Sequence, residues 1–98
     1  PPPPPPDTRF LGRNLTIGVQ GEDVRRLQKF LNDNKFIVAD RGPGAPGSET
    51  DYYGEATAEA VARFQERYRL EILAPLGLTK GTGSAGVLTR QKINKLLQ

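Results

Sequence analysis

The tightest constraint on this chain is a spacing that occurs twice. Gly54, Thr57, Val61 and Phe64 return as Gly86, Thr89, Ile93 and Leu96, each pair separated by the same 32 positions. A second echo links Val24-Arg25-Arg26-Leu27-Gln28 to Val61-Ala62-Arg63-Phe64-Gln65. Glycine takes up turn conformations that cost other residues energy, and a hydroxyl in the first turn of a helix can satisfy amides that lack an intrahelical partner. Apolar residues spaced three and four apart then form one buried helical face. Units of this kind predict similar helices packed round one shared core.

Three helices follow from the pattern. Between Glu22 and Asn34, Val24, Leu27 and Leu31 fall within roughly 60° of one another, flanked by Phe30. Gly21 precedes this helix, Glu22 and Asp23 place negative charge at its positive end, and Glu22 is positioned to pair with Arg26. A second helix is predicted from Glu55 to about Arg69, with room to extend to Leu73. It has Thr57, Ala60, Val61, Phe64 and Tyr68 on one face and a Glu59–Arg63 pair on the other. A third, from Val87 to Leu97, presents Thr89, Ile93, Leu96 and Leu97 together. The short apolar run Phe36 to Ala39 leads into Asp40-Arg41-Gly42-Pro43-Gly44-Ala45-Pro46-Gly47-Ser48, whose glycines and prolines exclude helix or central strand. A second irregular segment, Ala74 to Gly86, holds Pro75 and four glycines. The expected class is mainly α, a compact three-helix domain with internal repeats and long Gly/Pro-rich loops.

Length allows one domain, since 98 residues suffice for a single modest core. Pro1 to Pro6 form a polyproline II spacer by ring geometry alone, so residues 1–9 are expected to be a proline-rich linker and residues 10–98 the domain. A ligand for a proline-recognising domain is the alternative for this segment. A start on Pro1 rather than Met suggests a fragment of a longer protein, with an attached domain. No apolar run approaches the ~20 residues that span a bilayer, so no membrane insertion is expected.

Cysteine, histidine, methionine and tryptophan are all absent. That removes thiolate and imidazole metal ligands, Cys/His dyads and Ser-His-Asp triads together. Glycoside hydrolysis needs two carboxylates facing across a cleft, whereas Glu22 and Asp23 are better used at a helix terminus. Asp40, Ser48, Glu49 and Asp51 lack the regular alternation of a calcium loop. The expectation is therefore no catalytic residue, no metal and no cofactor. A net charge of +3 favours polyanions only mildly. Arg25, Arg26 and Lys29, with Arg90, Lys92 and Lys95, are the cations that a helix-turn-helix-like nucleic-acid binder would use. Acidic residues interleave the first two helices, and no nucleic-acid partner is expected.

Gly18-Val19-Gln20-Gly21-Glu22-Asp23-Val24 leading into Leu27-Gln28, Tyr53-Gly54-Glu55-Ala56-Thr57 leading into Val61 and Phe64-Gln65, and Gly86-Val87-Leu88-Thr89 occur in order at compatible spacing. From about Leu15 to Leu97 the chain resembles the peptidoglycan-binding domain family of three-helix repeats. That resemblance implies a monomeric, non-catalytic module outside the cytoplasm, in periplasm, cell wall or secreted form, that holds an attached domain to bacterial peptidoglycan. A prodomain-like docking module for a neighbouring domain is the alternative. The sequence departs from the family pattern in its long Asp40 to Asp51 loop, in the long Tyr68 to Gly86 segment, and at Lys35, where a helix-ending glycine is common. Asn34 is expected to take the left-handed conformation there.

For the ligand, Arg41, Asp51, Tyr52 and Tyr53 are the expected binding residues. An arginine can grip a stem-peptide carboxylate with two hydrogen bonds, and a tyrosine ring can stack on a sugar while its hydroxyl stays wet. Alternation along the chain puts one tyrosine toward the core, expected to be Tyr53, and leaves Tyr52 freer. Gln28 and Gln65 either contact N-acetyl groups or bond loop backbone, and the second is expected. Thr57 and Thr89 are expected to be helix-start residues.

Overall fold

A computed structural model describes residues 13–97. The expected linker over residues 1–9 lies outside the described residues. The chain folds into α1 (Glu22–Asp33), α2 (Glu55–Arg67), α3 (Arg69–Ile72) and α4 (Val87–Leu97), with a 3-10 turn at Ala74–Leu76. Among the described residues there is no strand, only two isolated antiparallel bridges, Leu15 with Ala85 and Gln20 with Tyr52. The class is mainly helical as expected, with four helices rather than three. The extra one arises because Tyr68 leaves helical geometry at φ −112° and ψ 38°. Its carbonyl then accepts the amides of Glu71 and Ile72 and restarts the helix for a single turn. The expected extension to Leu73 is thus a second, separate turn of helix.

Both ends of α1 are set by backbone and nearby charge. The Gly21 carbonyl accepts the Val24 amide at 3.0 Å, and Asp23 accepts the same amide at 3.0 Å while held by Arg13 at 2.8 Å. Glu22 pairs with Arg25, not Arg26, because the contact closes three residues on. At the other end the Phe36 amide reaches the Leu31 carbonyl at 2.8 Å and the Lys35 amide reaches Asn32 at 3.1 Å. This pair of bonds is a Schellman ending, which requires a left-handed residue just past the cap. Lys35 itself supplies it at φ 70°, whereas Asn34 stays at φ −103°. The expectation for Asn34 is corrected, since the bonding pattern places the left-handed position one residue later.

The core collects Val24, Leu27, Phe30 and Leu31 from α1, Ala60, Val61 and Phe64 from α2, Ile72 and Leu73 from the α3 region, Ile93 from α4, and Leu15, Val38, Tyr53 and Ala85 from loops. Phe64 is its centre. Its ring meets Phe30 edge-on at 5.6 Å, Phe36 edge-on at 5.4 Å and Tyr68 at 5.0 Å. Edge-to-face pairs of this kind add to what area burial alone gives. The expected face of α4 holds only in its first half. Thr89 and Ile93 are buried, but Leu96 and Leu97 are exposed, because the last turn runs past the edge of the core. Leu96 is therefore not the burial equivalent of Phe64.

Candidate functional site

Two buried glutamines build the loops that carry the exposed chemistry. The side-chain amide of Gln28 donates to the Thr57 hydroxyl at 2.9 Å, the Tyr52 carbonyl at 3.0 Å and the Thr50 hydroxyl at 3.2 Å. Its oxygen accepts the Thr50 amide at 2.6 Å. Gln65 does the same for the loop before α4, donating to Thr89 at 3.0 Å, Ser84 at 2.8 Å and Thr82 at 3.2 Å. It accepts the amides of Thr82 at 2.7 Å and Gly83 at 3.1 Å. With their polar atoms engaged by loop and threonine, both glutamines are structural. Thr57 and Thr89 sit in the first turns of α2 and α4, but their hydroxyls point inward to the glutamines. The N-caps of α1 and α2, Gly21 and Gly54, make no side-chain hydrogen bond.

The segment Asp51 to Tyr53 is stapled on both sides. Gly21 donates to the Asp51 carbonyl at 2.9 Å, Tyr53 to Val19 at 2.9 Å, and Gly18 to Tyr53 at 2.9 Å. Alternation along this extended backbone sends the two tyrosines opposite ways. The Tyr53 ring is fully buried, and its hydroxyl donates to the Gly83 carbonyl, tying this loop to the one before α4. Burial pushes its ionisation well above the ordinary tyrosine range. The Tyr53 side chain has no surface to offer a ligand, so its part is to set the backbone beneath Tyr52. Tyr52 is 47% exposed, its ring lying against Gly54 at the foot of α2. Asp51 is half-buried.

Arg41 is exposed on the preceding loop, and its side chain makes no hydrogen bond or ion pair among the described residues. That loop is anchored by Asn32, which sequence reasoning passed over. Its amide donates to Gly44 at 3.0 Å and Glu49 at 2.8 Å, while its oxygen accepts the Val38 amide at 2.8 Å. The hydrogen bond from Asn32 holds Glu49 below the usual carboxylate range, helped by the Gly47 amide. A buried asparagine on the core side of α1 was the available signal. Among the described residues no group of three acidic side chains is arranged to hold a metal ion.

A cleft among the described residues is a feature that the sequence did not expose. It has a volume of about 570 Å³, with residues 37–40 on one wall and Glu59, Ala62, Arg63 and Glu66 of α2 on the other. Arg63 does not pair with Glu59; it donates across the cleft to the Ile37 carbonyl at 2.6 Å and joins the two walls. Glu66 accepts the Gly81 amide at 2.9 Å. Gly81 lies so close to α2 that a Cβ there would stand 2.4 Å from the Ala62 carbonyl oxygen. Asp40 and Glu59 remain as open carboxylates beside an aliphatic floor. The cleft suits a ligand carrying both an amine and short apolar groups, with Arg41 next in the chain to its wall at Asp40.

The cations named for a nucleic-acid face are largely engaged. Lys92 pairs with Glu71 at 2.7 Å and lies 4.7 Å from the centre of the Tyr68 ring. Arg90 donates to Asn14 at 2.7 Å, Arg25 pairs with Glu22, and Lys29 pairs with Asp33 at 3.3 Å.

Comparison with known families places the chain beside one already described. The model of the family described as "Putative peptidoglycan binding domain" matches residues 20–72, more than half of the chain. That span holds α1, α2 and α3, the whole cleft, and Arg41, Asp51, Tyr52 and Tyr53. No curated protein and no solved structure matches the chain.

Proposed function

The chain belongs to the peptidoglycan-binding domain family, and from that premise we propose that it is a non-catalytic module holding an attached domain to bacterial cell-wall peptidoglycan. The observation that carries the reading is the family match, within which both the cleft and the exposed loop residues fall. In this reading the stem peptide enters the cleft. Its amine faces Asp40 and Glu59, its methyl and methylene groups lie on Ala62, and Arg41 grips a carboxylate with two hydrogen bonds. Tyr52 offers a ring for stacking on an N-acetyl sugar, and Asp51 an acceptor beside it. Tyr53 contributes by fixing the backbone under both.

The division of labour follows from size and side chains. The cleft is open, and the chain has neither histidine nor cysteine for proton transfer or nucleophilic attack. Binding and placement are what such a surface performs. Residues 1–9 are the tether in this proposal and residues 10–98 the domain, acting as a monomer outside the cytoplasm.

The test is co-sedimentation with purified sacculi stripped of teichoic acid. The chain is expected to pellet with sacculi, and recovery entirely in the supernatant across a range of salt would reject the proposal. Arg41→Ala is expected to weaken binding by about tenfold or more, the loss of a solvent-exposed pair of charge-assisted hydrogen bonds. Tyr52→Ala and Glu59→Gln are expected to weaken it as well. All three positions are exposed, so circular dichroism of the variants stays unchanged. Unaltered binding in the two loop variants with loss in Glu59→Gln would confine the site to the cleft.

A further inference from the structure

A second exposed feature lies away from the cleft and shares no residue with it. In the stretch from α3 through the 3-10 turn, Ile72 and Leu73 point into the core, and the leucines around them point out. Leu70 is 79% exposed, Leu76 58% and Leu78 40%. Leu70 and Leu78 border one shallow, mostly apolar depression with Ala74. Single exposed leucines are ordinary on a protein surface, but three within nine residues on one protruding turn form a patch.

The backbone of this turn is already satisfied. Leu76 donates to the Leu73 carbonyl at 3.0 Å, Gly77 to Ala74 at 2.9 Å, and Leu78 to Leu73 at 3.0 Å, while Pro75 has no amide to place. From Pro75 to Leu78 no amide needs water. Amides already bonded within the chain lower the cost of taking this part of the turn out of bulk water.

The charge around the patch is predominantly positive. Arg67, Arg69 and Lys80 are exposed beside the leucines. Two exposed carboxylates share the stretch, but each is already bonded within the chain: Glu71, beside Arg67, Arg69 and Leu70, pairs with Lys92 at 2.7 Å, and Glu66 accepts the Gly81 amide at 2.9 Å. Apolar side chains flanked by three cations that have no acidic partner among the described residues are complementary to a surface that is apolar beneath and anionic on top. Half of the six residues, Leu76, Leu78 and Lys80, lie beyond the residues matched by the family model, which end at 72.

We infer that the turn from Arg69 to Lys80 is a peripheral docking surface for an anionic lipid bilayer, with Leu70, Leu76 and Leu78 entering the interface and Arg67, Arg69 and Lys80 meeting the headgroups. This contact lies on the membrane and does not span it; among the described residues no helix is long and apolar enough to cross one. Each cation near an anionic surface adds roughly fivefold to the partition constant, and the attraction weakens as salt rises.

The experiment is flotation of the intact chain with two kinds of vesicle, phosphatidylglycerol mixed with phosphatidylcholine, and phosphatidylcholine alone. Binding to the anionic vesicles is expected, weaker by an order of magnitude or more on the neutral ones. The triple variant L70S/L76S/L78S is expected to lose about tenfold or more, and R67Q/R69Q/K80Q on the order of a hundredfold. All six positions are exposed, and unchanged urea midpoints will confirm intact folding. Absence of binding to anionic vesicles overturns the inference, as does equal binding to both vesicles or full retention by the leucine variant. Self-association of the chain that the leucine variant abolishes, without vesicle binding, assigns the patch to a protein contact and also overturns it. Sacculus binding by both variants remains unchanged, which separates this outcome from that of the cleft.

Discussion

Replacing Gln65 with leucine removes one amide and keeps nearly the same volume, so the cost is dominated by hydrogen bonds rather than by a cavity. Two groups that Gln65 satisfies are buried, the Gly83 amide and the Thr89 hydroxyl. Each orphaned buried group costs about 1–3 kcal/mol. The Thr82 amide and hydroxyl and the Ser84 carbonyl are part-buried, where water replaces much of what is lost. The Thr89 oxygen loses only an accepted bond and keeps its own hydrogen to donate, which sets the lower end of the range. The sum is about 3–5 kcal/mol, a large share of the ~5–15 kcal/mol that holds a small domain together. At roughly 4–8 °C per kcal/mol for this size, Tm falls by more than about 12 °C. Gln28→Leu orphans one buried partner, the Thr57 hydroxyl, and its loss is smaller, about 2–3 kcal/mol. Urea unfolding followed by circular dichroism measures both, as midpoint shifts at unchanged slope. A loss under about 1 kcal/mol for Gln65→Leu, or a greater loss for Gln28→Leu, would refute the reasoning. Folded Gln65→Leu is expected to pellet with sacculi like the parent chain. If it fails to do so, the glutamine contacts ligand after all.

Other perturbations test separate parts of the structure. Phe64→Ala empties the ring contacts with Phe30, Phe36 and Tyr68 and is expected to cost about 3–5 kcal/mol in the same assay. Lys35→Gly relieves the left-handed backbone at φ 70° and is expected to stabilise by about 0.5–1 kcal/mol, since strain relief there outweighs the added freedom of the unfolded chain. Tyr53 ionises later in the folded chain than in the unfolded one, so its contribution is complete below about pH 10 and is lost as pH rises from there. Tyr53→Phe should therefore flatten the alkaline fall of the urea midpoint, at a cost of about 1–2 kcal/mol at neutral pH for the lost bond to Gly83. Asp23 runs the opposite way. The hydrogen bond from Arg13 lowers its ionisation, so the stability it adds is present above about pH 4 and disappears as pH falls through the lowered value. Asp23→Asn should reduce the acid-dependent part of unfolding and leave the alkaline part alone.

Much of the helical layout was legible because periodicity is a local property. Val24, Leu27 and Leu31, and Val61 and Phe64, announce their faces by spacing alone, and all are buried. The expected inward turn of Tyr53 and the loop-bonding role of Gln28 and Gln65 also hold, since alternation and amide chemistry constrain them strongly. Leu96 read as core because spacing says which way a residue points on its helix, not how far the core extends beneath it. Glu22 with Arg26, and Glu59 with Arg63, read as pairs because spacing permits them; Arg25 and the Ile37 carbonyl were the better partners in space.

The sequence by itself determined the helical class, the positions of the three long helices and the family, because each depends on residue types at fixed local intervals. Tertiary structure decided the cleft between residues 37–40 and α2, the anchoring of the long loop by Asn32, and the outward turn of Leu70, Leu76 and Leu78. Those features join residues far apart in the chain, or depend on where a loop crosses a helix. Asn32 and Gly44 meet across 12 residues and Gly81 and Ala62 across a helix end, contacts fixed by packing and close approach rather than by any interval that a pattern can display.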